Sequence, residues 1–141
     1  MDLAKKLGAD VVLGKDHDIV QTIMAHTNGQ GVDNSCEFSG SPNALSNTVH
    51  STRMGGYVNV LSVYGNKMTE IPMNDIVFRY LHVKGINGRK MWSTWDKMHE
   101  LLSEEKIDID TLVTHRVSFE DYPAGVELAI SGDCGKVVVD F

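Results

Sequence analysis

Val32 to Leu61 reads VDNSCEFSGSPNALSNTVHSTRMGGYVNVL, and the architecture follows from its three parts. Val32 to Ser39 is extended in pattern and nearly free of charge, with Glu37 and Asp33 its only ionisable carboxylates, as a strand inside a sheet would be. Ser41-Pro42 then opens a helix. Serine there can accept orphan amides of the first turn, and proline at the first helical position has no amide to lose. Ala44, Leu45, Thr48, Val49 and Thr52 recur at helical spacing, so the helix is predicted to run to about Thr52, with Gly55-Gly56 as its break. Tyr57 to Leu61 is the next strand. Strand, helix and strand in this succession make a βαβ unit, whose strands lie parallel.

The same alternation extends outward in both directions. Asp2 to Leu7 has the character of a helix end stopped by Gly8, and Asp10 to Leu13 of a short strand. Ile19, Ile23 and Met24 place a helix over Asp18 to Ala25, closed by the turn Asn28-Gly29. Downstream, a loop through Gly65 and Pro72 leads to a helical turn near Asp75 to Tyr80, and His82 to Ile86 is a further strand. The fold class is therefore α/β, a parallel sheet with flanking helices.

After Gly88 the pattern changes, which sets a domain boundary: residues 1–87 belong to one domain and 88–141 to another. Met91, Trp95, Met98 and Leu102 mark an amphipathic helix whose large side chains are expected in a core. Leu112 to Ser118 is a strand, Tyr122, Val126, Ala129 and Ile130 form a helical stripe, and Val137 to Val139 closes the chain as a strand. Ser118-Phe119-Glu120-Asp121 has the form of a capping box, yet Pro123 would then fall in the second turn, where its ring and missing amide are costly. Asp121 is therefore the expected cap, with Pro123 in the first turn.

Composition narrows the function classes. The 141 residues are 42% apolar and 23% charged, which is ordinary for a folded globular chain. No window approaches the roughly 20 continuous apolar residues of a membrane helix, and the first residues lack the apolar core of a secretory signal, so no membrane partner and a cytoplasmic location are expected. A net charge of −6 with scattered basic residues argues against a nucleic-acid partner. The two cysteines, Cys36 and Cys134, are too far apart for a disulfide framework or zinc knuckle, and Cys36 is expected to be a small core residue. The six histidines show no metal-ligand spacing, so no metal site is read.

A G-x-G-x-x-G phosphate loop is missing. Gly29-Gln30-Gly31-Val32-Asp33-Asn34 lacks the third glycine and precedes a strand where it should follow one, which makes it a turn. What remains of a possible ligand site is a set of strand ends, because ligands of open parallel sheets bind outside the carboxyl ends of the strands. Three such ends carry small or flexible residues: Phe38-Ser39-Gly40, Leu61-Ser62-Val63 and Ile86-Asn87-Gly88. Ordinary turns would look the same. Glu37 lies in what should be a central strand and needs a partner there, as a paired structural residue before any proton-transfer role.

Gly88-Arg89-Lys90-Met91-Trp92-Ser93-Thr94-Trp95-Asp96-Lys97-Met98, preceded by Val83-Lys84-Gly85-Ile86-Asn87, resembles the run that ends the coenzyme domain in medium-chain, zinc-type alcohol dehydrogenases, above all the bacterial L-threonine 3-dehydrogenases. Leu3 to Asp10, Glu37 to Gly40, Gly55 to Val58, Ile107 to Asp110, Leu112 to Arg116 and Gly135 to Val139 agree in order, so the resemblance covers essentially the whole chain.

The resemblance implies the carboxyl-terminal part of a partial Rossmann-type sheet, followed by a carboxyl-terminal segment of the catalytic domain. It also implies an NAD-linked oxidation of the L-threonine 3-hydroxyl to 2-amino-3-oxobutanoate, with zinc, the Gly-rich loop and the ribose-binding acid all upstream. The family's nicotinamide contacts fall on Leu61, Ser62, Val63, Ile86 and Asn87, a partial NAD site. No catalytic residue falls within the chain, which is expected to be inactive alone and to use a small-molecule substrate only in the full enzyme. Ser62 stands where relatives often have glycine, and Asn87 where they often have an aromatic residue. A polyol or butanediol dehydrogenase is the alternative within the class. A non-catalytic oligomerisation module is the alternative outside it. A sheet without its first strands has an exposed edge, so a homo-oligomer is expected.

Overall fold

The computed structural model describes residues 2–14, 16–65 and 68–141. In chain order the elements are α1 (Asp2–Lys6), α2 (Ile19–His26), β1 (Val32–Glu37), α3 (Pro42–Ser51), β2 (Thr52–Val60), α4 (Met73–Phe78), β3 (His82–Gly85), α5 (Ser93–Ser103), α6 (Ile109–Leu112), β4 (Val113–Ser118), α7 (Tyr122–Ser131) and β5 (Lys136–Asp140). They fall into two compact units, residues 15–89 and residues 1–14 with 90–141.

The 15–89 unit is a three-stranded sheet in the order β1-β2-β3, parallel throughout. The α/β reading of the sequence holds, and its decisive βαβ unit is β1-α3-β2. Burial explains why: Leu45 and Val49 on one face of α3 are buried, and Val49 meets Val58 and Leu81 in a core joined by Val60 and Ile76. Burying each such side chain stabilises by about 1.5–3 kcal/mol. Asp18 caps α2 by accepting from the Gln21 amide at 2.9 Å.

The junction between α3 and β2 differs from expectation. Gly55-Gly56 does not end the helix; β2 starts at Thr52, directly after Ser51. The turn is held without glycine because the Thr52 hydroxyl bonds the Thr48 carbonyl at 2.7 Å and the Ser35 hydroxyl at 2.6 Å. Arg79 also donates to the carbonyls of Val49 (3.2 Å), His50 (3.1 Å) and Thr52, satisfying the orphan acceptors at the helix end. The glycines instead form a bulge within β2, where pairing slips between Val32↔Thr52 and Asn34↔Tyr57. Gly55 there has φ of +70°, a left-handed conformation that favours glycine. Ser41 does precede the helix, but its side chain makes no capping bond.

Two further expectations fail. Asp10 to Leu13 is not a strand, because no described strand pairs with it and an extended segment without a ladder is only loop. Cys36 is exposed. Strand alternation turns Ser35 and Glu37 to one face of β1 and Cys36 to the other. On that face the rings of Tyr57 and His82 stack with centroids 4.5 Å apart.

In the other unit, β4 and β5 pair in parallel with α7 as their crossover. Asp121 is the N-cap residue and Pro123 sits in the first turn, as the sequence requires. The Asp121 carboxylate does not cap; it accepts from the Ser118 hydroxyl at 2.9 Å. The α5 stripe does not fill a core. Met91, Trp95 and Met98 are exposed.

Candidate functional site

The parallel ladder sets Glu37, Val60 and Gly85 level, so the carboxyl ends of β1, β2 and β3 lie side by side. The ladder continues one residue further: the Leu61 amide donates to the Glu37 carbonyl at 3.0 Å and the Ile86 amide to the Val60 carbonyl at 2.9 Å. Leu61, Ser62 and Val63 therefore leave the tip of β2, and Ile86 and Asn87 leave the neighbouring tip of β3. Five residues separated in sequence stand on two adjacent strand ends. Val63 is 86% exposed and Leu61 38% exposed, while Ile86 and Ser62 are half-buried and Asn87 is exposed.

Beneath these tips lies Glu37, only 2% exposed. Its Oε1 accepts from the Ser39 amide (2.6 Å), the Ser39 hydroxyl (2.6 Å) and the Gly40 amide (3.1 Å). Its Oε2 accepts from the Tyr64 hydroxyl at 2.7 Å, the Ser62 hydroxyl and, more weakly, the Gly40 amide at 3.3 Å. Burial alone would raise its pKa; the hydrogen bonds from Ser39, Ser62 and Tyr64 outweigh that and lower it from 4.5 to about 2. The carboxylate is therefore ionised. Burial, followed by the bond to this anion, pushes the Tyr64 hydroxyl up, so Tyr64 remains a donor.

The partner that Glu37 requires is thus a ring of neutral donors rather than a cation. That ring joins the β1–α3 turn to the β2 tip, and Gly40 brings the two still closer: a Cβ on it would lie 2.9 Å from the Val63 carbonyl oxygen. Sequence reasoning placed Ser62 and Ser39 on strand ends but missed their hydroxyl bonds to Glu37, and missed Tyr64 altogether. Nothing in their spacing signals a carboxylate reached across 25 and 27 positions. A cavity of about 810 Å³ runs beside the tips along β1 and α3, reaching from Ser39 and Ser41 to the buried Ser51, and none of the five tip residues lines it.

Among the described residues, no three His, Cys, Asp or Glu side chains are grouped to hold a metal ion, so the zinc implied by the resemblance has no donor set here. No described helix is long and apolar enough to cross a membrane.

Comparison with known proteins agrees with this geometry. Residues 1–104 match the family described as zinc-binding dehydrogenase. The chain is 41% identical over 140 residues to an L-threonine 3-dehydrogenase of Bacillus licheniformis, covering 99% of the chain and 40% of the relative. It is 40% identical over 139 residues to that of Pyrococcus horikoshii, covering 97% and 40%. Among solved structures, 2R,3R-butanediol dehydrogenase from Bacillus subtilis superposes with a TM-score of 0.86 at 31% identity, over 99% of this chain and 40% of that one. The chain thus spans about 40% of the length of the curated relatives it matches. With most of its length matched, and with parallel strand tips of the kind just described, the chain belongs to the zinc-binding dehydrogenase family.

Proposed function

We propose that the chain supplies the nicotinamide side of an NAD site in a dehydrogenase that oxidises the L-threonine 3-hydroxyl to 2-amino-3-oxobutanoate. Residues 1–87 then belong to the coenzyme domain and residues 88–141 to the catalytic domain. The observation that carries this reading is the alignment of the β2 and β3 tips, which sets apolar Leu61, Val63 and Ile86 beside one another where ligands of open parallel sheets bind. The fit is to a ring and not to phosphates, since Glu37 already occupies the amides of the β1–α3 turn. Bound there, NAD would serve as hydride acceptor for a carbinol carbon. The chain's own part is positional: Leu61, Val63 and Ile86 offer apolar contact, and the backbone of Ser62 and Asn87 is in reach of a carboxamide.

The threonine substrate rests on the names of the relatives at about 40% identity. The butanediol reading rests on the solved structure at 31%. Self-association is supported by the outer edge of β1. Because Glu37 spends its carbonyl on β2, Asn34 and Cys36 direct theirs to the side where no described strand pairs. Isotope-labelled chain titrated with NAD tests the site. Amide shifts confined to Leu61–Val63 and Ile86–Asn87 are expected, with no NADH formed from L-threonine by this chain alone; shifts elsewhere, or none, refute the reading.

A further inference from the structure

Ser62 and Tyr64 stand on either side of Val63 in the chain, and both hydroxyls donate to the same atom, Oε2 of Glu37. Glu37 is ionised, and a hydrogen bond to an ionised carboxylate is roughly twice as strong as one between neutral groups. The run that leaves β2 is therefore stapled at two alternate positions. Val63, between the staples, has its side chain turned out and 86% exposed, whereas the carboxylate that holds its neighbours is 2% exposed. Its exposure is imposed by the residues beside it.

The other oxygen of the same carboxylate holds the facing turn. Oε1 accepts from the Ser39 amide, the Ser39 hydroxyl and the Gly40 amide, and Gly40 stands so near that a Cβ on it would lie 2.9 Å from the Val63 carbonyl oxygen. The backbone of Val63 is thus backed by the β1–α3 turn while its side chain faces away. A contact group fixed before its ligand arrives spares the ligand the entropy of ordering it. Two hydroxyls on one anion achieve that fixing here.

We propose that Ser62 and Tyr64 are positioning residues that act through Val63, holding its side chain ready for the face of the nicotinamide ring. This rests on the nicotinamide-side reading above and deepens it by naming what sets the tip in place. Neither hydroxyl meets the ring, since both are turned to Glu37. Removing either one loosens the tip and weakens the ligand. Truncating Val63 weakens the ligand as well, but leaves the tip as ordered as before.

The test is a titration of labelled chain with NAD at pH 7, for the native sequence, Ser62→Ala, Ser62→Thr, Tyr64→Phe and Val63→Ala, read at the amides of residues 61–63 and 86–87. In the folded fraction, loss of either hydroxyl is expected to weaken NAD by about ten-fold and to lower the backbone order of residues 61–63, while Ser62→Thr, which keeps a hydroxyl, binds within about two-fold of native. Val63→Ala is expected to weaken NAD by about three-fold with the order of the tip unchanged. A tie that served stability alone would lower the folded fraction and leave the affinity of what stays folded as it was. Native affinity in folded Ser62→Ala and Tyr64→Phe therefore overturns the positioning role and leaves the nicotinamide-side reading standing. Absence of NAD shifts in the native chain overturns both. Should either hydroxyl variant lose its folded spectrum, Val63→Ala decides, because that side chain is exposed and its truncation keeps both ties: native affinity there overturns the proposal.

Discussion

The two units contain the same device, a pair of parallel strands joined by a helix, yet hold it in opposite ways. In β1-α3-β2 the helix buries Leu45 and Val49, and the strand ends are tied by the buried Glu37. In β4-α7-β5 the one buried residue of the crossover helix is Gly125, and a cross-strand tie at the carboxyl end is the exposed pair Arg116–Asp140 at 2.9 Å. Phe119 and Phe141 stack beyond it, both open to solvent. Topology alone therefore does not stabilise a βαβ unit; what lies between helix and sheet does. A buried anion with five donors is costly to disturb, whereas an exposed ion pair contributes about 0–1 kcal/mol.

The contrast is broken most forcefully at Glu37. Glu37→Leu leaves its donors facing an apolar side chain, and chemical denaturation followed by amide exchange in β1 and β2 should register a loss of about 3 kcal/mol or more in the 15–89 unit. A pH series sharpens the same point. The folded pKa, about 2, lies below the ordinary 4.5, so the stabilisation is fully present above about pH 5 and is lost as the pH falls toward 2. Acid sensitivity in that window should be reduced in Glu37→Gln. A smaller effect is expected at the cap of α2: Asp18→Ala removes the 2.9 Å bond to the Gln21 amide and should cost about 1 kcal/mol, read as faster exchange in the first turn. Smallest is Arg116→Ala. Exchange in β4 and β5 should change by no more than about 0.5 kcal/mol, and a larger loss would show that the second unit leans on its surface pair after all.

How far the chain could be read before folding depended on the range of the interaction. Several helix and strand spans came from local patterns: the stripe Leu45–Val49 and the displacement of the α7 start by Pro123. The strand tips were legible too, since each ends in a short run of small residues after an apolar one. What stayed hidden is what only proximity creates. Arg79 reaching back to Val49, and Tyr64 and Ser62 reaching Glu37, leave no trace in spacing. Cys36 and the α5 stripe misled for a different reason: apolar character predicts burial only when a surface arrives to cover it, and Cys36, Met91, Trp95 and Met98 stay exposed.

Arg79 carries one more consequence, for the order in which the chain assembles during synthesis. The last carbonyls of α3 wait for a guanidinium encoded 27 to 30 positions downstream. A nascent chain can wind α3 early and hold the passage into β2 through Thr52, but the carbonyls at the helix end gain their guanidinium only once α4 has emerged and turned back. Folding of the 15–89 unit is thus expected to be a single late event rather than a stepwise growth from its amino end.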